Sequence, residues 1–340
     1  MFSTSNWTTR LAVLGALAGA TICAKALRLL YLWAELELGP VRLQRFKRDW
    51  ALVTGGSEGV GKAVAKALAA QGLNLVLVSR SQQKLDAAAA DIQQRWPQAQ
   101  VRTIAADLTA PGSCQQLLQS LSDTPISVLI ANVGGGICGP CLYWHYSDAD
   151  EAYVQALNGQ ACYSLVKGLL PGMVARNKGA VVAVSSIMHQ WGSYAAPYGA
   201  EKAKMNALMA MIDSELALAG VTGVSVQAMV LGPVDTPGVV QLMNNAATAA
   251  AAAAHDADPA AAAAAAAKRR QAFSNAISAE VVAASMVKCI GKGGPVVTPY
   301  WKHALQQQLM LGECLWPPVL QRAVKRAISR KFKAVCEGQE

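Results

Sequence analysis

From Trp50 to about Pro299, short apolar runs alternate with longer stretches of helical pattern. The runs are Trp50–Thr54, Leu73–Val78, Val101–Ala105, Ser127–Asn132, Ala180–Ser185, Val224–Val230 and Pro295–Thr298. They lack the strict apolar–polar alternation of a half-exposed strand. Continuous apolar runs belong to parallel strands covered on both faces. The segments between, such as Gly61–Gln71 and Gln82–Arg95, are long enough for helical crossovers. The pattern predicts an α/β fold with a doubly wound parallel sheet of about seven strands.

Outside this block the pattern changes. Leu11–Ala24 is apolar or small apart from Thr21; Lys25 and Arg28 follow, then apolar Leu29–Ala34. A bilayer-crossing helix needs about 20 apolar residues. Leu11–Ala34 therefore reads as a membrane-anchor helix only with both cations snorkelling. A transit peptide is an alternative, because the first acidic residue is Glu35; a cleaved signal ending at Ala18-Gly19-Ala20 is another. Toward the other end, Leu320, Val324, Ile328 and Phe332 recur every fourth residue beside the apolar stretch Leu309–Leu320, with Arg322, Lys325, Arg326, Arg330 and Lys333 on other faces. That predicts a basic amphipathic extension suited to a membrane interface.

The chain therefore divides into an anchor and basic linker (1–48), an α/β domain (49–300) and a membrane-proximal extension (301–340). Residues 246–270 form an Ala-rich insertion. Asp258 as N-cap, Pro259 at the first helical position and Ala260–Ala267 before Lys268, Arg269 and Arg270 predict a solvated helical spacer.

Charge sharpens this division. The net charge is +9. Residues 1–50 and 301–340 each carry seven basic against three acidic side chains, leaving the middle near neutral. Basic, apolar flanks suit an anionic membrane surface, whereas a nucleic-acid binder carries its basic stripe on the folded domain. No nucleic-acid partner is expected. The cluster Arg42–Arg48 after the anchor favours a cytoplasmic location for the α/β domain. Eight scattered cysteines do not read as a disulfide framework.

Candidate chemistry begins where the first run meets Thr54-Gly55-Gly56-Ser57-Glu58-Gly59-Val60-Gly61-Lys62. Between a first strand and a helix, such glycines let backbone N–H groups approach a pyrophosphate at the helix N-terminus, as in Rossmann-type folds. The second run leads to Ser79-Arg80-Ser81. A carboxylate there would bind a ribose 2′-OH; the Arg80 guanidinium instead suits a 2′-phosphate, which favours NADPH/NADP+.

Tyr198 and Lys202, four apart in a helical segment running through Leu218, share a face. A tyrosine ionises near pH 10, and an adjacent ammonium favours its phenolate. The pair alone is commonplace. Ser185-Ser186 at a strand end, Asn132-Val133-Gly134 at the end of the fourth run, and Asn158 between them give it a context.

In this order and spacing, residues of about 50–300 resemble the short-chain dehydrogenase/reductase family. Within it they are most similar to the membrane-bound very-long-chain 3-oxoacyl-CoA reductases and related 17β-hydroxysteroid dehydrogenases. The supporting pieces are Trp50-Ala51, Ser79-Arg80-Ser81 with Lys84-Leu85, Asn132-Val133-Gly134, Leu170-Pro171-Gly172-Met173 and Gly294 with Tyr300-Trp301-Lys302-His303-Ala304. The resemblance implies a catalytic set of Asn158, Ser186, Tyr198 and Lys202. It implies cofactor contacts at Gly55, Ser57, Gly59, Val60, Gly61, Arg80, Asp107 (adenine), Asn132, Gly134, Tyr198, Lys202, Val234 and Thr236. NADPH would deliver hydride to a carbonyl carbon and Tyr198 a proton to its oxygen. Lys202 would lower the Tyr198 pKa and hold the nicotinamide ribose; Ser186 would bind the carbonyl, and Asn158 would hold a relay water.

The implied reaction is reduction of a long- or very-long-chain 3-oxoacyl-CoA in fatty-acid elongation, at the endoplasmic reticulum membrane. A steroid or 3-ketodihydrosphingosine is the alternative substrate, a catalytically idle membrane scaffold the alternative to an enzyme, and a chloroplast or mitochondrion the alternative location. Candidate partners are the membrane, a second copy of the chain and elongation-complex enzymes. The chain departs from the family pattern at Ala131, at Leu231-Gly232-Pro233, and in a Ser186-to-Tyr198 interval one residue short, so Ser185 is also a candidate for the serine role. Cys138-Gly139-Pro140-Cys141 copies a redox sequence in the wrong context, and zinc would lack a fourth ligand beyond His145, so no metal is expected. His189, Trp191 and Tyr194 are candidates for the wall of an apolar pocket.

Overall fold

A computed structural model describes residues 5–135, 142–191, 195–238 and 276–311, together with Arg330. Cys138 and Cys141, Tyr194, the 246–270 insertion and the C-terminal repeat residues Leu320, Val324, Ile328 and Phe332 lie outside the described residues.

Seven strands form one parallel sheet: β1 (Trp50–Thr54), β2 (Asn74–Ser79), β3 (Val101–Ala105), β4 (Ile126–Ala131), β5 (Gly179–Ser186), β6 (Val224–Leu231) and β9 (Val296–Val297). Their order is β3-β2-β1-β4-β5-β6-β9, so the chain reverses direction across the sheet between β1 and β4. In a doubly wound fold this is where ligands bind, at the carboxyl ends of the strands. Two-residue strands β7 (Val234–Asp235) and β8 (Ile277–Ser278) pair in a separate ladder.

The apolar runs are explained by what covers them. Alternate residues of the central strands enter opposite cores. Val53, Leu77, Ile130, Val182 and Met229 pack on one side with α2 (Gly59–Ala70), α3 (Gln82–Arg95) and α9 (Ala279–Cys289). Leu52, Val76, Leu129, Val181 and Val226 pack on the other. There they meet α4 (Ser113–Ser120), α6 (Ala161–Ala175) and α8 (Ala196–Leu218). Fully burying one such side chain contributes about 1.5–3 kcal/mol. A two-sided strand therefore has no polar face.

Between α5 (Asp148–Gln155) and α6 the helix widens into a π-turn, Ala156–Gln160, that contains Asn158. A short helix, α7 (Met188–Trp191), follows β5, and α10 (Trp301–Leu311) follows β9. The N-terminal helix α1 (Ser5–Leu38) has 34 residues and spans roughly 50 Å. Leu27, Leu30, Tyr31, Trp33 and Leu38 are exposed on it. Among the described residues no helix is long and apolar enough to cross a membrane; Lys25 and Arg28 interrupt the apolar run of α1.

The last turn of α1 is fastened to the domain. Buried Lys292 donates to the carbonyls of Gly39 (2.8 Å) and Glu35 (3.4 Å). Arg42 donates to the Gly291 carbonyl at 2.6 Å and pairs with Glu35 at 3.5 Å. Cations at a helix C-terminus satisfy its free carbonyls and complement its dipole.

Candidate active site

The β1–α2 turn places its backbone where the sheet order reverses. Gly55 and Gly59 have φ of 66° and 55°, in the region glycine adopts most readily. A β-carbon at Gly61 would collide with the Gly55 carbonyl and lie 2.7 Å from Asn132 Nδ2. The α2 N-cap, Glu58, makes no side-chain cap bond, so the first N–H groups of α2 are left for an anion. Ser57 and Val60 lie half-buried in the same turn.

Thr54 and Asn132 join this turn to β4. Thr54 Oγ1 accepts from the Asn132 and Val133 N–H groups at 2.9 and 3.0 Å, and Asn132 Nδ2 donates to the Thr54 carbonyl at 3.1 Å. Arg80, at the end of β2, donates to the Tyr153 hydroxyl on α5 at 3.3 Å. The exposed Asp107 carboxylate accepts from Thr109 N–H and Oγ1 at 3.0 and 2.7 Å. These bonds, with Arg80 contributing, lower its pKa. Val234 is buried in β7, and Thr236 lies against Gly59, whose β-carbon would stand 3.2 Å from Thr236 Cβ.

The second half of the site lies at the carboxyl ends of β4 and β5. Helix α8 carries Tyr198 half-buried and Lys202 buried one turn on. Lys202 Nζ donates to the Val184 carbonyl at 2.9 Å and stands 5.5 Å from the Tyr198 ring centroid. The Ser186 hydroxyl hydrogen-bonds the Tyr198 phenol. Ser185, 2% exposed, instead donates to the Lys202 carbonyl at 3.4 Å. Geometry thus brings Ser186 to the phenol and turns Ser185 into the core.

Asn158 is fully buried in the π-turn. Its amide donates to the Gly135 and Val154 carbonyls at 2.7 and 3.0 Å, and its carbonyl accepts from Gly135 N–H at 2.9 Å. A β-carbon at Gly134 would stand 2.8 Å from Asn158 Oδ1 and 3.2 Å from Lys202 Nζ. π-Turns gather at functional sites; this one aims Asn158 at the β4 exit. His189 Nδ1 lies 2.7 Å from the Ser186 carbonyl and holds the serine loop.

Burial dominates the electrostatics. It raises the Tyr198 pKa, opposed by the Ser186 hydrogen bond. It lowers Lys202 from 10.5 to about 8, opposed by Cys162 and Glu201. The Cys162 thiol is pushed up to about 12 by the same burial. The ammonium turns to the Val184 carbonyl, and the desolvated phenol keeps its proton more tightly.

The short chain dehydrogenase family pattern matches residues 49–247. The chain belongs to the short-chain dehydrogenase family. Among curated relatives, a bovine very-long-chain 3-oxoacyl-CoA reductase is 35% identical over 184 residues, covering 52% of this chain and 56% of the relative. A Caenorhabditis elegans very-long-chain 3-oxoacyl-CoA reductase is 35% identical over 226 residues, covering 62% and 70%. The chain thus spans only about half to two thirds of the length of such relatives. Among solved structures, a Sphingobium yanoikuyae short-chain dehydrogenase in complex with NADPH has a TM-score of 0.62 at 22% identity, covering 78% of this chain and 92% of that one. A bulky-bulky ketone specific alcohol dehydrogenase from Comamonas testosteroni has a TM-score of 0.51 at 27% identity, covering 55% and 73%. The first likeness is one of fold alone.

Several residues at the site of this short-chain dehydrogenase carry no signal in the sequence. Tyr153 meets Arg80 only through tertiary structure. Glu201 reaches back to Tyr163, which donates to its carboxylate at 3.1 Å, and a β-carbon at Gly159 would collide with that carboxylate.

Proposed function

We propose that the chain is an NADPH-dependent reductase of long- or very-long-chain 3-oxoacyl-CoA, held at a membrane by α1. The observation that carries the chemistry is the Ser186–Tyr198 hydrogen bond beside buried Lys202, at the carboxyl edge of a sheet with an open phosphate loop. The names of the 35%-identical relatives support the substrate class. The cofactor fit rests on the same geometry. The α2 N-terminus and Gly55–Gly61 would hold the pyrophosphate, Arg80 the 2′-phosphate and Asp107 the adenine. Asn132 and Gly134, with Val234 and Thr236, would border the nicotinamide half.

When bound, NADPH supplies the hydride. This chain supplies the proton and the charge stabilisation. Tyr198, its pKa raised by burial, remains protonated at neutral pH, as a proton donor must. Ser186 Oγ would bind the carbonyl oxygen next to the phenol and favour it as negative charge develops. Lys202, anchored on Val184, would hold the nicotinamide ribose. Asn158, tied to the Gly135 backbone, would hold the water that relays protons.

The α1 helix, with exposed Leu27, Leu30, Tyr31 and Trp33, supports a membrane location, the cytoplasmic face of the endoplasmic reticulum by the positive-inside rule. The enzymes of fatty-acid elongation and a second copy of the chain are the partners this location suggests. The test is NADPH oxidation by the full chain in detergent or vesicles with a long-chain 3-oxoacyl-CoA, estrone and 3-ketosphinganine in parallel. Turnover is expected with the acyl-CoA. Tyr198→Phe should abolish it while NADPH binding, followed by nicotinamide fluorescence, persists. Turnover of estrone or 3-ketosphinganine alone overturns the substrate, and full activity in Tyr198→Phe overturns the mechanism.

A further inference from the structure

Helix α10 starts beside the carboxyl edge of the sheet and carries a histidine with no place in the reaction centre. His303 is 2% exposed. Its ring meets Tyr300 edge-on, with centroids 5.2 Å apart. The ring also faces the backbone at Gly232. A β-carbon at Gly232 would stand 2.6 Å from His303 Cδ2 and 3.0 Å from Cγ and Nε2.

Neither ring nitrogen makes a full hydrogen bond among the described residues. The Pro233 carbonyl lies close enough to raise the ring's pKa, against a larger lowering by burial. The imidazole is therefore neutral at pH 7 and acts here by shape. Burying its nitrogens unpaired costs stability.

Gly232 opens the strap that leads from β6 to the cofactor region. Pro233 follows, Val234 is buried and pairs with Ile277, and Thr236 ends against Gly59 of the phosphate loop. Helix α10 also touches the serine loop. Gln307 Nε2 donates to Gln190 Oε1 at 3.4 Å, and its Oε1 accepts from Thr298 at 2.7 Å.

We propose that His303 is a positioning residue for the cofactor: its ring, wedged against Gly232, sets the course of the Gly232–Thr236 strap and so the seating of Thr236 on the phosphate loop. This rests on the dinucleotide-binding reading of the site.

The test measures the NADPH dissociation constant and kcat for the full chain and its variants. His303→Ala should weaken NADPH about fivefold or more and leave kcat within about twofold, because the hydride and proton donors are untouched. Gly232→Ala should weaken NADPH about tenfold, since its methyl group meets the ring. The double variant should bind NADPH more tightly than Gly232→Ala alone, because the colliding ring is gone. His303→Phe keeps a planar ring and should bind NADPH within about twofold of the unaltered chain. Unchanged affinity in His303→Ala, or losses that multiply in the double variant, overturns the proposal. If His303→Ala does not fold, His303→Phe and Gly232→Ala decide it. Failure of the unaltered chain to bind NADPH overturns the cofactor reading itself.

Discussion

Lys202→Met should make the protein inactive and more stable. Burial lowers the Lys202 pKa from 10.5 to about 8, which corresponds to about 3 kcal/mol. At pH 7 the folded state carries that cost, because both folded and unfolded chains hold the charge. Methionine has similar length and no charge. It forfeits the bond to the Val184 carbonyl, worth about 1 kcal/mol net. The balance is a gain of about 2 kcal/mol.

The sign of the pH dependence follows. Between pH 8 and 10.5 the unfolded chain binds more protons at this site than the folded one. The unaltered protein should therefore gain about 1.4 kcal/mol per pH unit above about pH 8 relative to the variant. The assay is urea unfolding of both proteins without cofactor from pH 6.5 to 9.5, taking their difference so that other groups cancel. A variant less stable at pH 7, or a difference independent of pH, would refute the reasoning that Lys202 is a charge held against its desolvation.

Three further outcomes follow from contacts already described. Arg80→Ala should raise the KM for NADPH roughly ten- to hundredfold, the loss of one charge-assisted contact of about 1.5–3 kcal/mol, with little change for NADH; initial rates with both cofactors check this. Ser186→Ala should lower kcat at least about tenfold, since Ser186 reaches the Tyr198 phenol, whereas Ser185→Ala should cost stability more than rate; paired kinetics and denaturation separate them. Gly159→Ala should destabilise by about 1–3 kcal/mol, and Glu201→Ser in the same chain should recover part of it, because the new methyl group meets the Glu201 carboxylate.

The sheet was legible because burial on both faces writes itself as uninterrupted apolar runs. β1 and β3 fall where those runs fall, and the others differ by only a residue or two. β7 and β8 were not legible, since two residues have no period. The π-turn around Asn158 was hidden for a related reason: widening one turn of a helix leaves a local apolar pattern nearly intact. Tyr198 and Lys202 on one face follow from helical geometry. The choice between Ser185 and Ser186 follows from strand parity, but only once the face bearing α8 is known. Contacts such as Arg80–Tyr153 and His303–Gly232 join distant parts of the chain, and no local spacing encodes them.

The fastening of α1 by Lys292 and Arg42 has a mechanical meaning. A helix hinged on a loose linker transmits no torque; one whose final carbonyls are gripped by a buried lysine moves as part of the domain's rigid body. The bearing of α1 then fixes the heading of the carboxyl edge of the sheet, and with it the angle at which the substrate we propose would arrive. Lys292→Ala would turn that lever into a swivel.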